Sequence, residues 1–375
     1  MPSLAGRIKT KVWTPIKQFV RDRILGDDGD DNLGGGDPNI WFKDLEKHAY
    51  GEVSFAVVQA NLNMEDYSQV EIGKNATFVG VYDGHGGTDA SNYVCHHIFP
   101  NFIDAANERG LIHSDVIETA IATTESGFLA YVRNMFQERP LLAAVGSCCL
   151  TGVIWGRRLV VGNLGDSRAI IGTITNRQRM SVGAEQITQD QNVSRDDVRR
   201  DVQRRNPNDP HILVRAQGVW RIRGIIQVSR TIGDACLKSA EFALGPQFPQ
   251  FHLQPPLTQP ALGDDPFLFQ RDLNEADRFI VFASDGLWEH GIARRLLKKA
   301  MKVAAKKAKR RYKTLRTIPS GDRRRAIHDD ITIIVVFIDH DLLDLNNGNI
   351  GDADQVSLRS LSDSTDPSLF REMQF

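Results

Sequence analysis

Phe78-Val-Gly-Val-Tyr-Asp83-Gly84-His85-Gly86-Gly87 is the stretch around which the chain is organised. Phe78 to Tyr82 is a short run of β-branched and aromatic residues, which predicts a buried strand. It stops at Asp83, and glycine then occupies positions 84, 86 and 87. A strand that ends on a carboxylate and turns on glycine presents that carboxylate, with bare backbone carbonyls, at a sheet edge. Oxygen ligands of this kind suit hard cations such as Mg²⁺ and Mn²⁺. A lone Asp-Gly is an ordinary hairpin turn, but here the pattern recurs. Arg278-Phe-Ile-Val-Phe-Ala-Ser-Asp285-Gly286 is a second apolar strand ending in Asp-Gly, and His328-Asp329-Asp330 stands directly before a third, Ile331 to Ile338. Three strand-end acidic sites far apart in sequence predict one shared carboxylate cluster. Like charges gathered in this way are costly unless a cation neutralises them.

The bulk of the chain is compatible with that reading. Its 375 residues suffice for one large domain with tails or two smaller ones. With 41% hydrophobic and 25% charged residues, the composition is that of a soluble globular protein. The net charge of −1 hides an asymmetry: Gly291 to His328 holds fifteen Lys and Arg against the single acid Asp322, leaving about −15 on the remainder. Cys95, Cys148, Cys149 and Cys236 show no paired spacing and follow no secretory segment, so reduced thiols in a cytosolic or nuclear setting are expected. The longest apolar run, Ile331 to Ile338, is too short to span a bilayer as a helix.

Taken in order, residues 1–47 predict a basic helix and a flexible linker. Thr14-Pro15 fits an N-cap followed by proline at the first helical position. Ile16, Phe19, Val20 and Ile24 then share a face, flanked by Lys17, Arg21 and Arg23. A membrane-surface helix, a transit peptide and a helix docked on its own domain all fit this segment. Asp27 to Pro38 reads as linker. Ser54 to Ala60 predicts a strand leading into the acidic pair Glu65-Asp66. Ala90 to Phe102 and Ile117 to Phe136 predict helices. Gly146 to Trp155 and Arg158 to Asn163 predict strands, with Ala169 to Ile174 returning as the hairpin partner of the latter across Gly165-Asp166. Gln189 to Pro260 reads as an irregular excursion with a helix near Ser194 to Arg204. Residues 294–313 predict a basic helix whose Lys306 to Arg311 resembles a nuclear import signal or a nucleic-acid patch. Residues 341–375, rich in Ser, Asp and Asn, predict a disordered acidic tail.

Five motifs together carry a resemblance. Phe78-Val-Gly-Val-Tyr-Asp-Gly-His-Gly-Gly, Asn163-Leu-Gly-Asp-Ser-Arg, Gln227-Val-Ser-Arg-Thr-Ile-Gly-Asp, Ala283-Ser-Asp-Gly-Leu-Trp-Glu and His328-Asp-Asp-Ile-Thr resemble those of the type 2C, metal-dependent serine/threonine protein phosphatases. They occur in family order over residues 48–340 and look most like a plant subgroup. The resemblance implies an α+β fold: a central β-sandwich of two antiparallel sheets flanked by helices, with the metals at one end. It implies two Mg²⁺ or Mn²⁺ ions per site, with a third, weaker one. By the same resemblance, Asp83 bridges the two ions, the Gly84 carbonyl joins one of them, and Asp285 and Asp329 complete the first. Glu65 and Asp66 match the pair that holds metal-bound waters, Asp166 and Glu289 match the third site, and His85 matches the proposed general acid. Asp330 aligns with an asparagine of the family.

The chemistry accounts for these residue types. Two cations about 3.5–4 Å apart lower the pKa of a bridging water and clamp phosphate oxygens for in-line attack. No protein nucleophile is then required, in agreement with the lack of a Cys-x5-Arg signature. A nearby imidazole protonates the leaving alkoxide, a step worth about 10²–10⁴-fold. Two departures stand out. Asn61 occupies the position where many members hold a phosphate-gripping Arg, which predicts weaker substrate affinity. The segment after His290 is about fifteen residues shorter than in the pattern of the family, which bears on stability. A catalytically weak phosphatase-like binding protein is the first alternative, opposed by the intact Asp83, Asp285 and Asp329. A two-metal nuclease is the second, opposed by the motif order and by the lack of interleaved aromatics in the basic helix, so nucleic acid is not an expected partner. The expected partners are phosphoprotein substrates, with weak contact to anionic membranes through residues 15–25. A monomer in nucleus and cytoplasm, with a peripheral plasma-membrane fraction, is the expected state.

Overall fold

The computed structural model describes residues 38–347, apart from 74, 111, 177–180, 289–304, 307 and 310. Period-two alternation builds its centre. Along strand Ile331–Ile338, the side chains of Ile334, Val336 and Ile338 face one way, and those of Ile331, Ile333 and Val335 face the other. This strand lies inside a six-stranded antiparallel sheet, ordered Ile40–His48, Gly51–Val58, Ile331–Ile338, Asp277–Ala283, Arg168–Asn176, Ser181–Gln186. A five-stranded antiparallel sheet faces it, ordered Phe267–Asp272, Arg158–Leu164, Cys149–Trp155, Ala76–Tyr82, Tyr67–Ile72. Between them, Phe55, Val79, Val81, Leu150, Ile280, Phe282 and Ile334 form one buried cluster. Each such side chain taken fully out of water contributes about 1.5–3 kcal/mol. The expected sandwich is thus present.

Both outer faces are apolar and covered. Helices Asp89–Arg109 and Ser114–Met135 lie on the five-stranded sheet, where Phe78 meets the Phe99 and Phe102 rings at 5.2 and 5.3 Å between centroids. On the far side, Leu287, Ala305 and Leu315 cover Val281, Ala283 and Ile333. Strand Ala76–Tyr82 is buried at every residue, because Phe78 points to the helices while Val79 and Val81 point into the sandwich.

Three expectations change. Arg158–Leu164 and Arg168–Asn176 do not form a hairpin; they belong to different sheets, and the link through Gly165-Asp166-Ser167 crosses the sandwich edge. Arg158–Leu164 pairs instead with Cys149–Trp155 and Phe267–Asp272, and Arg168–Asn176 with Asp277–Ala283 and Ser181–Gln186. The folded unit also exceeds the boundaries 48 and 340. Strand Ile40–His48 pairs along Gly51–Val58, and helix His340–Asn347 buries Leu343 and pairs Asp344 with Arg157 at 2.7 Å. The helix expected near Pro15 to Leu25, the linker before residue 38, the tail beyond residue 347 and most of the expected basic helix lie outside the described residues.

Candidate active site

One end of the sandwich collects the strand-end acids. Asp83 follows strand Ala76–Tyr82, and its carbonyl accepts the Cys148 N–H at 2.8 Å. Asp285 opens the short helix Asp285–Trp288, and its N–H donates to Asp83 Oδ2 at 3.4 Å. Asp329 and Asp330 precede strand Ile331–Ile338. Asp166 sits on the sheet-crossing link, where Asn192 Nδ2 donates to its Oδ2 at 2.7 Å and Cys148 Sγ to its Oδ1 at 3.4 Å. Glu65 and Asp66 enter from the loop after strand Gly51–Val58. The turn at Gly84 seats against that loop, with the Gly84 N–H donating to Glu65 O at 3.2 Å. A Cβ at position 84 would collide with the Glu65 carbonyl and Ser91 Oγ, so only glycine permits this approach.

The acids act on one another electrostatically. Burial pushes the Asp83 carboxyl well above the usual carboxylate range, and the charges of Asp285, Asp66, Asp166 and Asp329 push it further. Asp66 is raised by burial and by Asp330, although its Oδ2 accepts from Ser284 Oγ and Thr332 Oγ1, both at 2.8 Å. Glu65 and Asp329 are also raised, chiefly by burial, with the Arg325 guanidinium opposing the shift in both. Sequence-distant acids therefore do share one cluster, whose charges repel each other.

A hard divalent cation fits this donor set. Every proposed ligand is an oxygen, and raised carboxyls are groups that a cation would stabilise in their charged form. Among the described residues, no three His, Cys, Asp or Glu side chains close on one ion. Glu289, expected at a third site, lies outside the described residues.

Asp330 does something the sequence did not disclose. It is buried, and its carboxylate accepts from Ala60 N at 2.6 Å, Asn61 N at 3.0 Å, Asn61 Nδ2 at 3.1 Å and Glu65 N at 2.9 Å. It therefore fastens the Glu65-Asp66 loop to the start of strand Ile331–Ile338. Asn61 Nδ2 also donates to Glu65 Oε2 at 3.2 Å, so that side chain is already engaged within the cluster.

His85 also gains a partner. A small three-stranded sheet aligns Gly84–His85, Gly146–Ser147 and Ile232–Gly233. It brings His85 Nε2 to 2.8 Å from Asp234 Oδ2, a buried carboxylate that also accepts from Thr231 Oγ1 at 2.7 Å. Burial alone would lower the imidazole pKa; the Asp234 charge and hydrogen bond, with Asp166 and Glu65, outweigh it and leave it raised. Behind this pair, half-buried Lys238 joins buried Glu125 at 2.6 Å, and Glu125 accepts the Gly233 N–H at 2.8 Å. A Cβ at position 146 would fall on both His85 Nε2 and Asp234, so Gly146 was the available sign of this contact.

Known proteins resemble this chain over most of its length. The family model described as Protein phosphatase 2C matches residues 56–315. A relative from Oryza sativa subsp. japonica, named Probable protein phosphatase 2C 43, is 45% identical over 97% of this chain and 97% of its own length. One from Arabidopsis thaliana, Probable protein phosphatase 2C 68, is 45% identical over 89% of each. The serine-threonine phosphatase 2C of Toxoplasma gondii shares the fold, with a TM-score of 0.52 at 16% identity over 80% of this chain and all of that one. The chain belongs to the protein phosphatase 2C family and is of the plant type. It is a metal-dependent protein serine/threonine phosphatase, and phosphoproteins are its substrates.

Proposed function

We propose that the acidic end of the sandwich hydrolyses phosphoserine and phosphothreonine at a centre of two Mg²⁺ or Mn²⁺ ions, with Asp166 and Glu289 serving a weaker third. The observation that carries this reading is the convergence of Asp83, Asp285 and Asp329, from three strand ends, at one end of the sandwich, where the Asp285 N–H reaches Asp83 Oδ2 and the charges of Asp285 and Asp329 act on buried Asp83. Bound there, divalent cations supply an activated water and neutralise the phosphate oxygens. Asp83, Asp285, Asp329 and the Gly84 carbonyl hold them, and Glu65 and Asp66 orient the waters around them. His85 donates the proton that the serine or threonine alkoxide needs in order to leave. Asp234, by accepting at His85 Nε2, fixes the ring. The protein treated with chelator is expected to release no phosphate from a phosphothreonine peptide, and to recover on addition of Mn²⁺ or Mg²⁺. Undiminished hydrolysis after complete metal removal would refute the reading.

The location proposal rests on the basic residues. Three or four charges near anionic lipid contribute roughly 1 kcal/mol each, so residues 15–25 would bind membranes weakly, and Lys306 to Arg311 would favour the nucleus. Deleting residues 1–26 should abolish a salt-sensitive membrane fraction and leave peptide hydrolysis intact. Retention of the membrane fraction at high salt would count against this.

A further inference from the structure

A cluster built to hold cations must also receive a dianionic phosphate, and the Asn61 amide is occupied by Glu65 and Asp330. Arg325 lies nearby. It ends the short helix Asp322–Arg325, which is anchored to the Glu65 loop through Gly321 N donating to Ala60 O at 2.8 Å. Its guanidinium contacts Asp329 Oδ2, yet 44% of the side chain remains exposed. Its charge reaches across the mouth: it opposes the raised values of Glu65 and Asp329, and Asp329, Asp330 and Asp285 stabilise it in turn. Its neighbour Arg324 is unlike it, being fully buried, with contacts to His328 Nε2 and Ile318 O that make it part of the scaffold.

We propose that Arg325 is the residue that grips the substrate phosphate, taking the place of the guanidinium that position 61 lacks. A guanidinium offers five N–H donors in a planar fork. One arm on Asp329 leaves others for the phosphate oxygens, so the same side chain aligns a carboxylate and captures substrate. The inference rests on the reading of Asp329 as a metal ligand.

Calorimetry separates the two. Mn²⁺ is titrated into the wild-type chain, Arg325→Gln and Arg325→Lys; inorganic phosphate is then titrated into each Mn²⁺-saturated protein, and KM is measured on a phosphothreonine peptide. Arg325→Gln should take up Mn²⁺ at least as tightly as wild type, since a competing cation is gone. Its phosphate Kd and peptide KM should rise roughly tenfold to a hundredfold, the scale of a lost charge-assisted contact, with kcat nearly unchanged. Arg325→Lys should recover part of the loss, because an ammonium binds phosphate as a point charge. Phosphate Kd and KM equal to wild type in Arg325→Gln would overturn the proposal, even if Mn²⁺ affinity or thermal stability had changed. Failure of the wild-type chain to bind Mn²⁺ would bring down the metal reading, and this assignment with it.

Discussion

Replacing Asp83 by asparagine is expected to lower peptide hydrolysis at least about a thousandfold, the upper scale for removing one preorganised electrostatic element. Asp83 stands where the charges of Asp285, Asp66, Asp166 and Asp329 all act on it. An amide of the same shape keeps the strand end but removes the anion on which both ions would depend. Stability should move the other way. A carboxylate whose folded pKa is raised penalises the fold above that pKa, and the penalty vanishes below its unfolded value of about 3.9. Asp83→Asn should therefore raise the melting temperature of metal-free protein at neutral pH, with a gain that shrinks toward acid. Asp329→Asn should lose activity in similar fashion. Asp330→Asn should instead lower the melting temperature, because an amide nitrogen would face N–H donors of Ala60, Asn61 or Glu65. An active, cooler-melting Asp83→Asn would contradict this account.

The second large effect is expected at Asp234. A well-placed proton donor is worth about 10²–10⁴-fold, so loosening His85 should cost about a hundredfold in kcat on a phosphothreonine peptide. Asp234→Asn keeps the volume but removes the charge that holds the imidazole. The effect should depend on the leaving group. Threonine leaves as a basic alkoxide and needs the proton; 4-nitrophenol leaves as a stable phenolate and does not. Asp234→Asn should therefore retain most of its rate on 4-nitrophenyl phosphate, within a few-fold of wild type, while failing on the peptide. Equal losses on both substrates would mean that Asp234 supports the fold or the metal site rather than the acid.

The difference between what was legible and what was not follows from locality. Asp83, Asp285 and Asp329 could be read because each borders an apolar strand, the first two after it and the third before it, a pattern visible within ten residues. The helix-on-sandwich layout came from the resemblance, since alternation predicts strands but not the sheet each one joins. Gly165-Asp166-Ser167 shows why: locally it reads as a tight turn, yet the partners of the two flanking strands lie elsewhere in the chain. Asp234 stood in a recognised motif without a role, because His85 is 149 residues away and only the Gly146 strand brings them together. Asp330 appeared interchangeable with asparagine in sequence, whereas its four N–H donors come from a loop some 270 residues earlier. Arg325 was hidden among the fifteen Lys and Arg of Gly291 to His328, where nothing local sets one guanidinium apart.

The central claim is that Asp83 organises a pair of ions in this cluster. Electron paramagnetic resonance during Mn²⁺ titration of wild type and Asp83→Asn tests it most directly. Wild type should bind two ions tightly and develop the signal of an exchange-coupled pair, and Asp83→Asn should lose that signal and the tight binding of both. A wild type that binds isolated ions only, or an Asp83→Asn that keeps the coupled pair, would contradict it.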